Sequence, residues 1–78
     1  MMDYLLTKLA EEAGELVVAA LKHRTHRSAK TRRDLRKESG DVLALLGMLV
    51  REGEVDQAAL HKSTQRRAAR ERKRCKNR

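Results

Sequence analysis

Four carboxylates have the types and spacing to do chemistry together. Glu12 and Glu15 are three residues apart, and so are Glu38 and Asp41. On a helix that spacing places both members of a pair on one face, about one turn apart. In an antiparallel helical hairpin, residues at one height have position numbers with a constant sum. Glu15 with Glu38 gives 53, and Glu12 with Asp41 also gives 53. Half of that sum falls between His26 and Arg27, a natural place for the turn. Both pairs then lie at one level, roughly 15 Å from the loop at a rise of 1.5 Å per residue.

The facing of these acids sharpens the expectation. At about 100° per residue, Glu38 falls within an apolar stripe, Asp41 at its edge, and Glu12 beside the stripe of the first helix. An isolated buried carboxylate is costly. Four converging ones also repel one another and raise their pKa values. A divalent cation relieves both problems, and an all-oxygen donor set suits Mg²⁺ or Mn²⁺ rather than zinc. Acid pairs at this spacing ordinarily face water, so two pairs at matching height carry the argument. Glu11 points away from the stripe and reads as solvated, with a supporting role behind the ligands as its functional alternative.

Those acids need helices to position them, and the chain is built for helices. Ala, Leu, Glu, Lys and Arg dominate it, Pro, Trp and Phe are absent, and Tyr4 is the sole aromatic. The first apolar stripe spans about Asp3 to Arg24, through Leu5, Leu9, Ala13, Leu16 and Ala20, with Leu6 and Val17 beside it. The second spans about Ser28 to Glu52, through Leu35, Val42, Leu45, Leu46 and Leu49. Ser28 suits the N-cap, where its hydroxyl accepts from a free backbone N–H. Gly53 suits the stop. A connection around Thr25 to Arg27 makes the two helices antiparallel neighbours. A third helix is expected to start near Glu54, with Val55, Ala58, Ala59 and Leu60 docking on the hairpin. Gly14 and Gly40 each cost a helix about 1 kcal/mol relative to Ala, which a close approach or simple tolerance would explain.

The expected fold is therefore all-α: an antiparallel hairpin plus a third helix. Each helix offers one stripe, so a four-helix-type bundle needs further copies, and a homodimer or a dimer of dimers is expected. Residues 1–61 read as the folded body and residues 62–78 as a basic, helix-prone tail. The 78 residues carry a net charge of +8, yet 62–78 hold nine bases and one acid, while 1–61 hold ten of each. The whole excess lies in the tail. No apolar run is long enough to cross a bilayer, the N-terminus is acidic where a signal peptide is basic, and Cys75 is the only cysteine. A cytoplasmic protein is expected. His23, His26 and His61 lack metal-site spacing and read as exposed. No glycine-rich phosphate loop and no nucleophile with an orienting base is present.

LAEEAGEL (Leu9 to Leu16) followed by ESGDVLALLGML (Glu38 to Leu49) resembles the MazG-like all-α NTP pyrophosphohydrolases, a superfamily that includes dimeric dUTPases and phosphoribosyl-ATP pyrophosphohydrolase. Its signature is EExxE, a gap, then ExxD. Here Glu11, Glu12 and Glu15 precede Glu38 and Asp41, with 22 residues between Glu15 and Glu38. The likeness covers about positions 5–50. It implies a Mg²⁺-dependent enzyme, active as a dimer or tetramer, that cleaves a nucleoside triphosphate between its α- and β-phosphates. Carried over, Glu12, Glu15, Glu38 and Asp41 become metal ligands, and Glu12 or Glu38 takes the proton from the attacking water. The family's K-x-x-x-N-x-x-R pattern points to Lys62 and Arg66 as phosphate contacts, although Gln65 and Arg66 stand where its asparagine is sought. Only ten residues precede Glu11, where many members of that superfamily have a longer segment that helps enclose the base, so a base pocket that is shallow, completed by a neighbouring chain, or absent is expected.

Two rivals stand beside this reading. The basic run from Arg66 to Arg78 suits nucleic-acid phosphates, although a single aromatic argues against stacking on single strands. A non-catalytic dimeric interaction module would leave the acids as surface and show no response to metal.

Overall fold

In the first helix, α1 (Met2–Thr25), the apolar positions recur at helical spacing and meet those of α2 (Ala29–Arg51). The computed structural model describes residues 2–76, so Asn77 and Arg78 of the expected tail lie outside it. A third helix, α3 (Gln57–Lys76), completes the chain, and no strand occurs among the described residues. The protein is all-α. Substantial packing joins α1 to α2 alone.

The turn between α1 and α2 is held by its own side chains. Ser28 caps α2: its hydroxyl accepts from the Thr31 N–H at 3.1 Å, while the Thr31 hydroxyl accepts from the Ser28 N–H at 3.0 Å. This reciprocal box satisfies two free donors of the first turn. The His23 ring reaches the Thr31 hydroxyl at 2.8 Å, so the last turn of α1 is tied to the first turn of α2. His23 is therefore half-buried and engaged rather than exposed. The contact also reports the register, since 23 and 31 sum to 54, one away from the value expected for the acids.

The end of α2 is a left-handed stop. Gly53 has φ +79°. Its N–H donates to the Val50 carbonyl and that of Glu54 to the Leu49 carbonyl, each at 3.0 Å. This is the Schellman arrangement that glycine favours. The third helix starts at Gln57, not near Glu54: Asp56 caps it, with Oδ2 accepting from the Ala59 N–H at 2.8 Å. Glu54 stays in the turn, where its N–H donates to the Leu49 carbonyl and closes α2.

Burial is sparse. Leu5, Ala19 and Leu49 are the buried apolar residues among those described. Ala19, and not Ala20, faces the seam; the step from Leu16 to Ala19 keeps the stripe aligned with α2, and Ala20 is exposed. Leu6 and Val17 are exposed as well. On α3, Leu60 is half-buried, while Ala58 and Ala59 are exposed and do not dock as the sequence suggests. No residue of α3 is buried.

Candidate metal centre

The seam between α1 and α2 places apolar residues at its ends and acids in its middle. Leu5 and Leu49 close one end, and Ala19 lies toward the loop. Between them the same helical spacing brings Glu12 to the position an apolar residue would fill. Glu12 and Glu38 are half-buried, with the Glu38 side chain 15% exposed. Glu15 is exposed at the edge. Carboxylate oxygens of Glu12, Glu15 and Glu38 lie within 4.8 Å of one another.

The electrostatics of this cluster are unfavourable for bare acids. Glu12 Oε2 and Glu38 Oε2 are buried without a hydrogen-bond partner. The carboxyl of Glu12 is raised above its ordinary value, first by burial. A hydrogen bond in which protonated Glu12 donates to Glu15, and the charges of Glu15, Asp41 and Glu38, push it the same way. Two buried acceptors aimed into one acidic cluster fit a hard cation, which takes oxygen ligands and repays the desolvation.

Asp41 is not among the three converging acids. Its carboxylate accepts from Lys37 Nζ at 2.9 Å, one turn earlier on α2. Lys37 also approaches Glu38 Oε1 at 3.5 Å. These contacts raise the Lys37 ammonium pKa, with the Asp41 hydrogen bond as the leading cause. Asp41 nevertheless stands beside Glu12, and both border one groove. Glu11 lies outside the cluster and pairs with Lys8 at 3.2 Å.

Two clefts flank the acids. One, of about 440 Å³, runs from Glu12 and Asp41 to Tyr4, Leu45 and Met48, and Lys8 lines it. The other, of about 330 Å³, is bordered by Glu15 and Glu38 and includes Lys22 and Asp34. Lys62 and Arg66 line neither. Both are exposed on α3, where Arg66 shares a separate cleft with Ser63 and Arg70. Sequence reasoning passed over Lys8, Lys22 and Lys37. Two of them carried a signal: Lys37 precedes Asp41 by four and Lys8 precedes Glu12 by four, the spacing at which helical side chains meet, whereas Lys22 has no acid at that spacing. A Cβ at Gly14 or Gly40 would meet nothing within 4 Å, so no close approach within the protomer explains either glycine.

The arrangement is a two-helix acidic cradle with an apolar groove on one side. The chain matches the model of the MazG nucleotide pyrophosphohydrolase domain over residues 2–78. No curated protein and no solved structure gives a significant match. With nearly its whole length aligned to that domain, the chain belongs to the MazG nucleotide pyrophosphohydrolase family.

Proposed function

We propose that this protein is a Mg²⁺-dependent pyrophosphohydrolase that cleaves a nucleoside or deoxynucleoside triphosphate between its α- and β-phosphates, giving a nucleoside monophosphate and pyrophosphate. One observation carries the metal: three carboxylates within 4.8 Å, two of them with a buried, unpartnered oxygen. Glu12, Glu15, Glu38 and Asp41 would hold it. To hold the ion Asp41 would have to leave Lys37, whose side chain is 66% exposed. An exposed pair one turn apart on a helix is worth only about 0.3–0.5 kcal/mol, too little to hold Asp41 against a divalent ion.

When bound, the ion neutralises phosphate charge and makes a neighbouring water a better nucleophile. The protein's own groups do the rest. The groove from Tyr4 to Met48 is within the size range of small-ligand pockets, and it takes the nucleoside, with the phosphates directed at the acids. Lys8 and Lys22, in the two clefts, and Lys37, freed from Asp41, face the triphosphate charge. Glu12 or Glu38 accepts the proton of the attacking water. Water adds to phosphorus, the α–β anhydride breaks, and pyrophosphate leaves.

A second copy completes the molecule in this reading. Leu6, Val17, Val18 and Leu21 on α1 and Leu43 on α2 are exposed, Leu43 by 68%. A homodimer, or a dimer of dimers, covers them and supplies the missing layers of a bundle. The deciding experiment is a pyrophosphate-release screen across NTPs and dNTPs with Mg²⁺ and with Mn²⁺, beside Asp41→Ala. Release from at least one nucleotide, lost in the variant, is expected. No release from any nucleotide, with a melting temperature indifferent to millimolar Mg²⁺, overturns the reading.

A further inference from the structure

The third helix is left over by this chemistry. α3 runs unbroken for 20 residues, buries none of them, and packs little against the hairpin. It carries eight bases and one acid, Glu71. At about 100° per residue, Lys62, Arg66, Arg70, Lys73 and Lys76 fall within one arc of roughly 120°. They extend over about 21 Å of helix at a rise of 1.5 Å per residue. None of the five makes an ion pair among the described residues. Glu71 lies off this face and holds Arg67 at 3.1 Å and Arg74 at 2.9 Å. The helix's single negative charge is thus spent on the flanking arginines, and the row of five is left uninterrupted.

We propose that this face of α3 docks on the phosphate backbone of double-stranded nucleic acid, without reading sequence. Charge complementarity selects the partner, and the rest of the helix narrows it. A membrane-surface helix needs a wide apolar face with large side chains, and α3 offers Leu60 and scattered alanines. Binding to single strands relies on aromatic platforms, and α3 has none. Protein interfaces draw their energy from buried aromatic and apolar anchors, which this arc also lacks. A bare cationic helix of this width fits the major groove, where contacts to phosphate position a protein but do not specify a base. The inference is independent of the acidic cluster, because no member of the row borders it.

The test uses the full chain and a fluorescent 20-base-pair duplex of arbitrary sequence, titrated from 50 to 200 mM salt. Five phosphate contacts give a slope of about −4.5 in log K against log salt, or roughly 500-fold weaker binding over that range. A second duplex of unrelated sequence binds equally. Arg66→Gln/Arg70→Gln/Lys73→Gln, checked for helicity by circular dichroism, lowers the slope to about −2. Three results each overturn the proposal: no binding of duplex at 50 mM salt, a slope in the intact protein near zero, or tighter binding to phosphatidylserine vesicles or to the single strand. An unchanged slope in a folded triple variant moves the contact off this face and overturns it too.

Discussion

Glu12 occupies the seam that Leu5 and Ala19 also occupy, and its burial is the source of both its cost and its use. Raised above the ordinary carboxylate value of about 4.3, it favours the protonated form in the folded protein. Its stabilising contribution is therefore complete below that value and is lost as pH rises through the elevated one. Metal-free protein should lose stability over that interval, and Glu12→Gln should flatten this part of the profile. Thermal melts from pH 4 to 8 in chelator compare the two; identical slopes would remove Glu12 from the cluster. Magnesium acts in the opposite direction. At a hundredfold its Kd, a ligand of the folded state adds about 2.7 kcal/mol, which for a domain this size is roughly 10–20 °C in Tm. Glu38→Gln should abolish that rise and cut turnover by more than about 100-fold, the upper end for groups that merely support a ligand. A variant retaining the full Mg²⁺ response would show that Glu38 does not hold the ion.

The helices that carry these acids depend on their ends as much as on their faces. With Leu5, Ala19 and Leu49 as the buried apolar residues, each cap represents a large share of what holds α1 against α2. Ser28→Ala removes the capping box and should cost about 1 kcal/mol. Gly53→Ala forces a Cβ into φ +79° and should cost about 1–2 kcal/mol. Leu49→Ala deletes a core residue and should cost about 2–5 kcal/mol. Urea titrations rank the three; a cap variant as harmful as Leu49→Ala would mean the turn, and not the seam, organises the hairpin.

As a whole, the chain has more surface than a self-sufficient domain. It exposes 6514 Å², against roughly 4,800 Å² for a compact monomer of 8.9 kDa. Its radius of gyration is 14.7 Å, where a compact chain of this length has about 11.5 Å. The molecule is a slab 15 Å thick over its Cα atoms, one layer of helices. The surplus of about 1,700 Å² is of the order that permanent interfaces bury. Leu6→Glu with Val17→Glu should therefore shift the protein to monomer in sedimentation experiments and lower its Tm. A wild-type chain that sediments as a monomer at micromolar concentration would leave that apolar face without the partner proposed for it.

Local rules made most of this readable from the amino acids. Helix type, the cap at Ser28, the stop at Gly53 and the matched height of the acid pairs follow from periodicity and turn chemistry, which act over a few residues. The hairpin sum of 53 falls one short of that of the His23–Thr31 contact, because a short loop leaves an antiparallel pair little freedom in register. What the residue order left open depends on contacts between helices. Packing chose Ala19 over Ala20, since both satisfy helical spacing and only the rotation of α1 against α2 separates them. It set Glu12 squarely in the seam, left Asp41 on Lys37, turned His23 inward to Thr31, and moved the start of α3 to Gln57. These outcomes turn on a few tens of degrees of helix rotation and on which side chains that rotation brings within reach of one another. The linear pattern specifies a face, and the fit of one helix against another selects the residue on it.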